Sequence, residues 1–360
     1  MTNSPRIGLA TCRSLRPGEC DDEPLKHAFR ARGCVVEEPV WDDPSVEWAT
    51  FDITLIRTTW DYVARYREFV DWANRVESLC PLLNPASVVR WNVDKRYLRT
   101  LESAGVATIP TLWIEPHAEL DANAAVAWLR NHSTDGRCFV KPSVGATASG
   151  TLRAIMNDRN DNRGGDGDSR GRGGCENGCE NGCETTAGLK SIVAHIDQLH
   201  ADGHAAMLQP YLGSVETLGE RSAILIDGQL SHAVSKRPIP GDYRVQDDWG
   251  GSDSPHVPTR SELNFIASVI DALTKSLAAA GTPLDDALTY ARVDWLEDAR
   301  HEPRLVELEL IEPSLFFRHH PNAADFLAEA VLRRLPRSRS PISIPSPARD
   351  PGRSEQPDFT

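Results

Sequence analysis

The sequence holds no apolar run long enough to span a membrane, and its first residues, Met1 to Arg6, lead into a short strand without the hydrophobic segment of a secretory signal. No Walker A pattern occurs, and no Ser-His-Asp or Cys-His arrangement supplies a protein nucleophile. Positive charge is short: 39 Lys and Arg stand against 52 Asp and Glu, a net charge of −13. That argues against a general nucleic-acid binder, whose footprint is basic, but leaves room for a local basic pocket. The eight cysteines (Cys12, Cys20, Cys34, Cys80, Cys138, Cys175, Cys179 and Cys183) form no recognisable disulfide framework. The expectation is a cytoplasmic chain with reduced thiols and neither nucleic-acid nor membrane partners. Its 360 residues, 40% hydrophobic and 25% charged, suffice for two or three packed units.

What the sequence does have is acid where core should be. Tyr290-Ala-Arg-Val-Asp-Trp-Leu296 and Leu305-Val-Glu-Leu-Glu-Leu-Ile-Glu-Pro-Ser-Leu-Phe-Phe317 read as neighbouring strands joined by a hairpin. Asp294 lies between Val293 and Trp295. Glu307 and Glu309 alternate with apolar residues, so a strand points both to one face, and Glu312 follows at the strand end. Converging, half-buried carboxylates repel one another and lose hydration, and a divalent cation removes both costs. The alternative is that Arg292, Arg304 and Arg318 neutralise them as ordinary ion pairs.

The remaining chain divides into units. Residues 1–113 read as an α/β domain with a mostly parallel sheet: strands at Ile7–Ala10, Cys34–Pro39 and Phe51–Arg57, and helices at Glu23–Arg32 and Glu68–Leu79. Ligands of such sheets bind beyond the carboxyl ends of strands, which makes Arg57-Thr-Thr-Trp-Asp-Tyr62 a substrate-facing loop, with Arg57 suited to an anionic group and Trp60 and Asp61 beside it. An Arg57–Asp61 pair bracing the loop is the alternative. A helix is expected over Lys95–Ala104, capped by Asn92 or Asp94 and stopped by Gly105. Residues 114–215 hold helices at Ala122–Asn131 and Leu189–His200, a strand Cys138–Pro142 containing Lys141, and a small-residue loop, 143–151, suited to close approach by phosphates. Within them, 157–187 has almost no large apolar residues and reads as a disordered insertion; its Cys175, Cys179 and Cys183 follow a short repeat. Residues 216–335 hold a hairpin turning at Asp227-Gly228, a polar loop 238–251, a helix Ser261–Ala280, the acidic strands, and a helix Ala323–Leu335. The Pro-, Ser- and Arg-rich tail, 336–360, reads as disordered.

In this order the parts resemble the ATP-grasp superfamily, across residues 6 to 335. The residues that carry the resemblance are Asp94-Lys95 before a helix; Phe139-Val-Lys-Pro142 before the small-residue loop; Leu208-Gln-Pro-Tyr211 as the hinge strand; Lys236-Arg237 with Gly241-Asp-Tyr-Arg244 and Gly250-Gly251; and Arg292-Val-Asp294 with the Glu-rich strand. Glutathione synthetase-like members are the nearest in pattern. The Arg-Thr-Thr-Trp-Asp-Tyr loop and the Glu-Leu-Ile-Glu-Pro ending are similar to the O-ureido-serine cyclase subgroup of cycloserine biosynthesis.

The resemblance implies an α/β fold of the ATP-grasp kind, with a mostly parallel N-terminal domain and two subdomains whose antiparallel sheets clamp a nucleotide. It implies ATP and Mg²⁺ as cofactors, Mn²⁺ being an alternative, and a small amino-acid-like or short peptide substrate; a homodimer is left open. Carried over residue by residue, Lys95, Lys141, Ser143, Gly145, Ser149 and Gly150 would hold or cover the phosphates. Gln209 and Tyr211 would line the adenine pocket, and Glu216 or Glu220 would bind ribose. Asp294, Glu309 and Glu312 would hold metal; Lys236, Arg244 and Arg292 would serve the transfer; Arg57, Trp60, Asp61 and Arg244 would meet substrate. Two departures stand out. Glu309 and Glu312 are separated by Leu310 and Ile311, where glutathione synthetase-like members have Glu-x-Asn, which leaves open which of Glu307, Glu309 and Glu312 are ligands. The phosphate loop also has fewer glycines. The implied activity is an ADP-forming ligase that activates a carboxylate or carbonyl as a phosphate for attack by an amine, an intramolecular cyclase being the alternative. A non-catalytic ATP-binding module is the reading from another class.

Overall fold

The computed structural model describes residues 4–15, 19–116, 118, 120–133, 135–146, 148–156, 188–282 and 288–335. The expected insertion 157–187, with its three cysteines, and the tail 336–360 lie outside them.

The N-terminal unit alternates strand and helix as its hydrophobic periods require: β1 (Arg6–Thr11), α1 (Glu23–Ala31), β2 (Val35–Glu37), β3 (Ile53–Thr58), α2 (Tyr66–Glu77) and β4 (Leu82–Leu83). The strands pair in parallel in the order β2-β1-β3-β4. A proline in the first turn presets α1, whose Leu25, Ala28 and Phe29 are buried on one face. Likewise α2 buries Phe69, Trp72, Ala73 and Val76 beside Trp41 and Trp48.

Two short helices follow, α3 (Ala86–Asn92) and α4 (Tyr97–Ser103). Here the structure corrects the expected cap. The residue before α4 is Arg96, with no side-chain cap. Asp94 bonds the backbone and side chain of Arg96, and Asn92 ends α3 facing another strand altogether.

The second unit is an antiparallel sheet, β5-β8-β6-β7, built from β5 (Leu112–Ile114), β6 (Arg137–Pro142), β7 (Leu152–Ile155) and β8 (Ala206–Pro210). Helices α5 (Ala122–His132) and α6 (Leu189–Ala201) cover one face, packing Ala125, Leu129, Ile192 and Ile196 on Cys138, Val140 and Leu208. By alternation, Phe139, Lys141, Met207 and Gln209 face the other way, into a cleft.

The third unit begins with α7 (Ser214–Thr217) and continues as β9 (Glu220–Ile226), β10 (Gln229–Arg237), β11 (Ser252–His256), α8 (Arg260–Ala279), β12 (Tyr290–Glu297), β13 (Pro303–Glu309) and α9 (Ala323–Arg333). Its sheet is antiparallel, β11-β10-β9-β12-β13. The β9–β10 turn falls at Asp227-Gly228, both at positive φ, as a tight hairpin demands. A Thr259–Glu262 capping box starts α8, which packs Phe265, Ile266, Val269 and Leu273 on Leu225, Val293 and Trp295.

The outer edge of β13 is not left open. Leu305 N donates to Ala107 O at 2.8 Å, Leu308 N donates to the Tyr97 hydroxyl at 2.9 Å, and Asn92 bonds both Leu308 O and Leu310 N. The free edge of the acidic strand is thus closed by groups from α3, α4 and residue 107. Finally, α9 returns to the first unit, where Leu327, Ala328 and Val331 meet Leu25, Ala28 and Phe29. No helix among the described residues is long and apolar enough to cross a membrane.

Candidate active site

The two antiparallel sheets face each other across a cleft of ≈ 290 Å³. Lys141 projects from β6 and Lys95 from the turn between α3 and α4; the small-residue loop passes beside both, lining the cleft with Gly145, Ala146, Ala148 and Ser149. Lys95 Nζ donates to Gly145 O at 2.5 Å and pairs with Glu307 at 2.8 Å. Burial opposes its charge, but Glu307, with Glu309 and Glu312, outweighs burial and raises its pKa. Lys141 has no ion-pair partner among the described residues and rests over the Phe139 ring, 5.0 Å from its centroid. Burial dominates there and lowers its pKa. An ammonium held where its charge is disfavoured is one that gains when an anion arrives.

Facing these lysines is the acidic end of the third sheet. Register places Arg292 opposite Glu309 and Asp294 opposite Glu307, all toward the cleft. Asp294, 2% exposed, accepts from Ser222 Oγ at 2.6 Å and from Arg292 Nη2 at 2.9 Å, with Lys236 Nζ at 3.4 Å. Burial alone would raise its pKa, but these cations reverse that and hold it below the usual range. Lys236 also pairs with Glu220 at 2.5 Å. Gly219 must be glycine for this approach: its φ is +80°, and a Cβ would lie 2.4 Å from Lys236 O.

Glu309 and Glu312 fare differently. Arg292 bonds Glu309 too, but one guanidinium serves two carboxylates. Glu309 keeps 27% side-chain exposure, on the side of the cleft. Burial first, then Glu307, Asp294 and Glu312, push it up to about 8 despite Arg292. Burial likewise lifts Glu312 to about 7, against a hydrogen bond from the Tyr62 hydroxyl. Trp60 Nε1 donates to Glu312 O at 3.1 Å, tying the loop after β3 to the end of the acidic strand.

At the cleft's other end, Ile109, Phe139, Leu296 and Val306 form apolar walls, with Tyr243 packed against Phe139 and Gln209 between them. Arg244 lines the cleft with its fork on Asp242 and its guanidinium 3.8 Å from the Trp249 ring centroid. Arg318 lines the end near Trp60 and Tyr62, bridged to Asp21, Asp247 and Asp253.

The sequence and fold of this chain are matched among known proteins. A family model described as the N-terminal domain of D-cycloserine synthetase DcsG matches residues 7–84. The cycloserine biosynthesis protein DcsG of Streptomyces lavendulae is 31% identical over 337 residues, 91% of this chain and 98% of that protein. The chain belongs to the DcsG family. The crystal structure of D-cycloserine synthetase DcsG superposes with a TM-score of 0.74 at 28% identity, covering 92% of this chain and 100% of that one. An ATP-grasp RimK-domain protein from Sphaerobacter thermophilus shares the fold, with a TM-score of 0.56 at 15% identity over 91% of this chain and 99% of its own. The chain is therefore an ATP-grasp enzyme of the ligase-or-cyclase kind.

In this DcsG-family cleft the structure gathers Trp60, Lys95, Lys141, Gly145, Ser149, Gln209, Glu220, Lys236, Arg244, Arg292, Asp294, Glu309 and Glu312. It places six other expected residues elsewhere. Arg57 is 2% exposed and forks onto Asp22, its Nη2 2.7 Å from Oδ1, and not onto Asp61. Asp61 accepts from Trp41 Nε1 at 2.7 Å instead. The reason is that β3 is buried on both faces, so the arginine next to its end is enclosed and pairs with the carboxylate of Asp22. Ser143 Oγ turns to Asp94, Gly150 O accepts from His195, and Tyr211 and Glu216 bond each other away from the lining. Of the two ribose candidates, only Glu220 lines the cleft.

Tyr62, Arg318 and Asn92 line the cleft as well: Tyr62 lies at the end of the singled-out loop, Arg318 was expected as an ion-pair partner of the acidic strands but pairs with Asp21, Asp247 and Asp253, and Asn92 was expected only as a cap. As they stand, no group of three Asp, Glu, His or Cys side chains among the described residues is arranged to hold a metal ion. The chemistry of the donors nonetheless fits one. Glu309 and Glu312 are carboxylates whose charge is disfavoured by burial and by the neighbouring acids, and a divalent cation removes both costs.

Proposed function

We propose that the cleft binds ATP with a divalent cation, Mg²⁺ by preference, and uses it to activate a carboxylate or carbonyl of a small amino-acid-like substrate for attack by an amine. What supports this reading above all is the opposition, across one cleft, of Lys95 and Lys141 to the Asp294–Glu309–Glu312 acids. The lysines hold phosphate oxygens, and the loop from Gly145 to Ser149 covers them with small residues. The acids hold the cation, which supplies charge neutralisation at the phosphates when bound. Glu220, which lines the cleft, binds the ribose. Lys236 and Arg292, fixed by Asp294, stabilise negative charge on the transferring phosphoryl and on the carbonyl oxygen that receives it. The γ-phosphoryl passes to that oxygen and ADP leaves. The amine then bonds to the carbonyl carbon, phosphate departs with the oxygen, and the amine's surplus proton goes to solvent. No protein nucleophile is required.

The amine belongs to the same substrate molecule in a cyclase and to a second molecule in a ligase. The 31% identity to a cycloserine biosynthesis protein favours the cyclase. The test is ADP release with ATP, Mg²⁺ and O-ureido-serine alone. Turnover without an added amine supports ring closure, turnover only with an added amine supports a ligase, and no ADP under either condition contradicts the proposal for these substrates.

A further inference from the structure

Glu309 closes β13, and the register that sets it opposite Arg292 fixes where its carboxylate points. Glu312 lies three residues further on, beyond the last paired position. In a continued strand that odd offset would turn it to the face opposite Glu309. Both acids line the cleft because the chain leaves the strand after residue 309. A carboxylate on irregular backbone needs a holder from elsewhere, and it comes from the N-terminal unit. Trp60 Nε1 donates to Glu312 O at 3.1 Å, and the Tyr62 hydroxyl donates to the Glu312 carboxylate. Both donors stand on a loop that its own unit fixes. Tyr62 N donates to Thr59 O at 3.1 Å, and the Tyr62 ring stacks on Phe69 of α2 with centroids 4.4 Å apart. Asp61, between the two donors, accepts from Trp41 Nε1 at 2.7 Å. An indole has one N–H to give, and that of Trp60 is committed to Glu312. A carboxylate offers about four lone-pair sites, so the single bond from Tyr62 sets its rotation and leaves sites free for a cation.

We propose that Trp60 and Tyr62 position Glu312 for the divalent cation, so that the N-terminal unit completes a metal site whose acids all belong to the third unit. This rests on the nucleotide–metal reading above. Tyr62 is the positioning residue for the side chain and Trp60 for the backbone. Carboxylates that hold a metal are themselves held by hydrogen bonds, and losing such a partner typically costs about 10- to 100-fold in metal affinity. Glu309, held by its strand and by Arg292, does not depend on this loop.

The experiment is calorimetric binding of ATP to the full chain, with Mg²⁺ and again with EDTA in place of the metal. It compares the native protein, Tyr62→Phe, Trp60→Phe, Glu312→Ala and the double variant of Tyr62→Phe with Glu312→Ala. The quantity read is the metal gain, the ratio of the two ATP affinities. Tyr62→Phe keeps the ring on Phe69 and removes only the hydroxyl. Its ATP affinity without metal should stay within about twofold of native, while the metal gain falls about tenfold or more. Trp60→Phe should lower the metal gain in the same direction, which also serves if Tyr62→Phe folds poorly. In the Glu312→Ala background, Tyr62→Phe should change the gain by less than about twofold, because the group it positions is gone. A native-sized gain in Tyr62→Phe, or in Trp60→Phe should the first not fold, would overturn the inference. An undiminished effect of Tyr62→Phe in the Glu312→Ala background would overturn it as well. So would an equal loss of ATP affinity with and without metal, which would mark Tyr62 as packing or as part of the nucleotide site alone. No metal gain in the native protein would remove the metal reading, and this inference with it.

Discussion

Asn92 is the residue whose replacement should reveal how the acidic strand is held. Its carboxamide acts as a short piece of neighbouring strand: Nδ2 donates to Leu308 O at 2.8 Å, and Oδ1 accepts from Leu310 N at 2.9 Å, with Glu309 between the two. The side chain is 7% exposed. In Asn92→Asp the shape is kept but the donor becomes an oxygen. Protonated, the introduced carboxyl still donates to Leu308 O; ionised, it faces that carbonyl as a second acceptor. The folded state therefore holds it protonated, while the unfolded chain ionises it near pH 4. An acid whose folded pKa is raised leaves stability untouched below the unfolded pKa and removes it as pH rises, at about 1.4 kcal/mol per unit until the folded pKa is reached. Between pH 5 and pH 7 the variant should lose up to about 2.7 kcal/mol relative to the native protein. Urea unfolding of both proteins at the two pH values measures this as a difference of differences, which cancels the titration of the native acids. A gap that stays within about 0.5 kcal/mol between the two pH values would refute the strand-pairing role, since that is no more than distant, independent effects produce.

Four further outcomes are expected. Burial raises Glu309 to about 8 and Glu312 to about 7, so without metal these two groups hold more protons in the folded chain than in the unfolded one from about pH 5 to 8, and their contribution to stability should fall as pH rises through that window. Mg²⁺ with ATP needs the ionised forms and should bind more tightly toward pH 8 with release of protons; calorimetry in buffers of different ionisation enthalpy reads this, and absence of proton release would contradict it. Asp22→Ala strands the buried Arg57 charge and should cost about 3–5 kcal/mol in urea unfolding, against less than 1 kcal/mol if the pair were merely superficial. Lys141→Met relieves an ammonium whose charge burial disfavours, so the melting temperature without ligand should hold or rise while the ATP-induced shift falls; a lower unliganded melting temperature would contradict the assignment.

The local chemistry of this chain was legible because short-range signals agreed with the fold. The alternation of Glu307 and Glu309 with Leu308 and Leu310 places both acids in the cleft, and an irregularity in the pairing brings Val306 to the same side. The Asp227-Gly228 turn and the periodic faces of α1, α2 and α8 lie where their spacing indicates. What was not legible depends on partners distant in sequence. Arg57 reads as a ligand-binding residue from its place at a strand end, but nothing near it in sequence shows that Asp22, from the turn before α1, encloses it. Asn92 reads as a helix cap because caps are local, whereas its partners lie more than two hundred residues away, at the end of β13 and just beyond it. Arg318, beyond the acidic strand, gathers Asp21, Asp247 and Asp253 from three separate segments.

The most direct measurement is a thermal-shift titration with ATP and Mg²⁺, on the native protein and on Asp294→Asn and Glu309→Gln, each read against its own unliganded melting temperature. A ligand that binds only the folded state raises that temperature. The account predicts a magnesium-dependent rise in the native protein that is lost in both variants. No rise with any nucleotide, or a rise that both variants keep in full, would contradict a nucleotide–metal site between the lysines and the acidic strand, and would leave those acids as the ion-paired partners of Arg292 and Lys236.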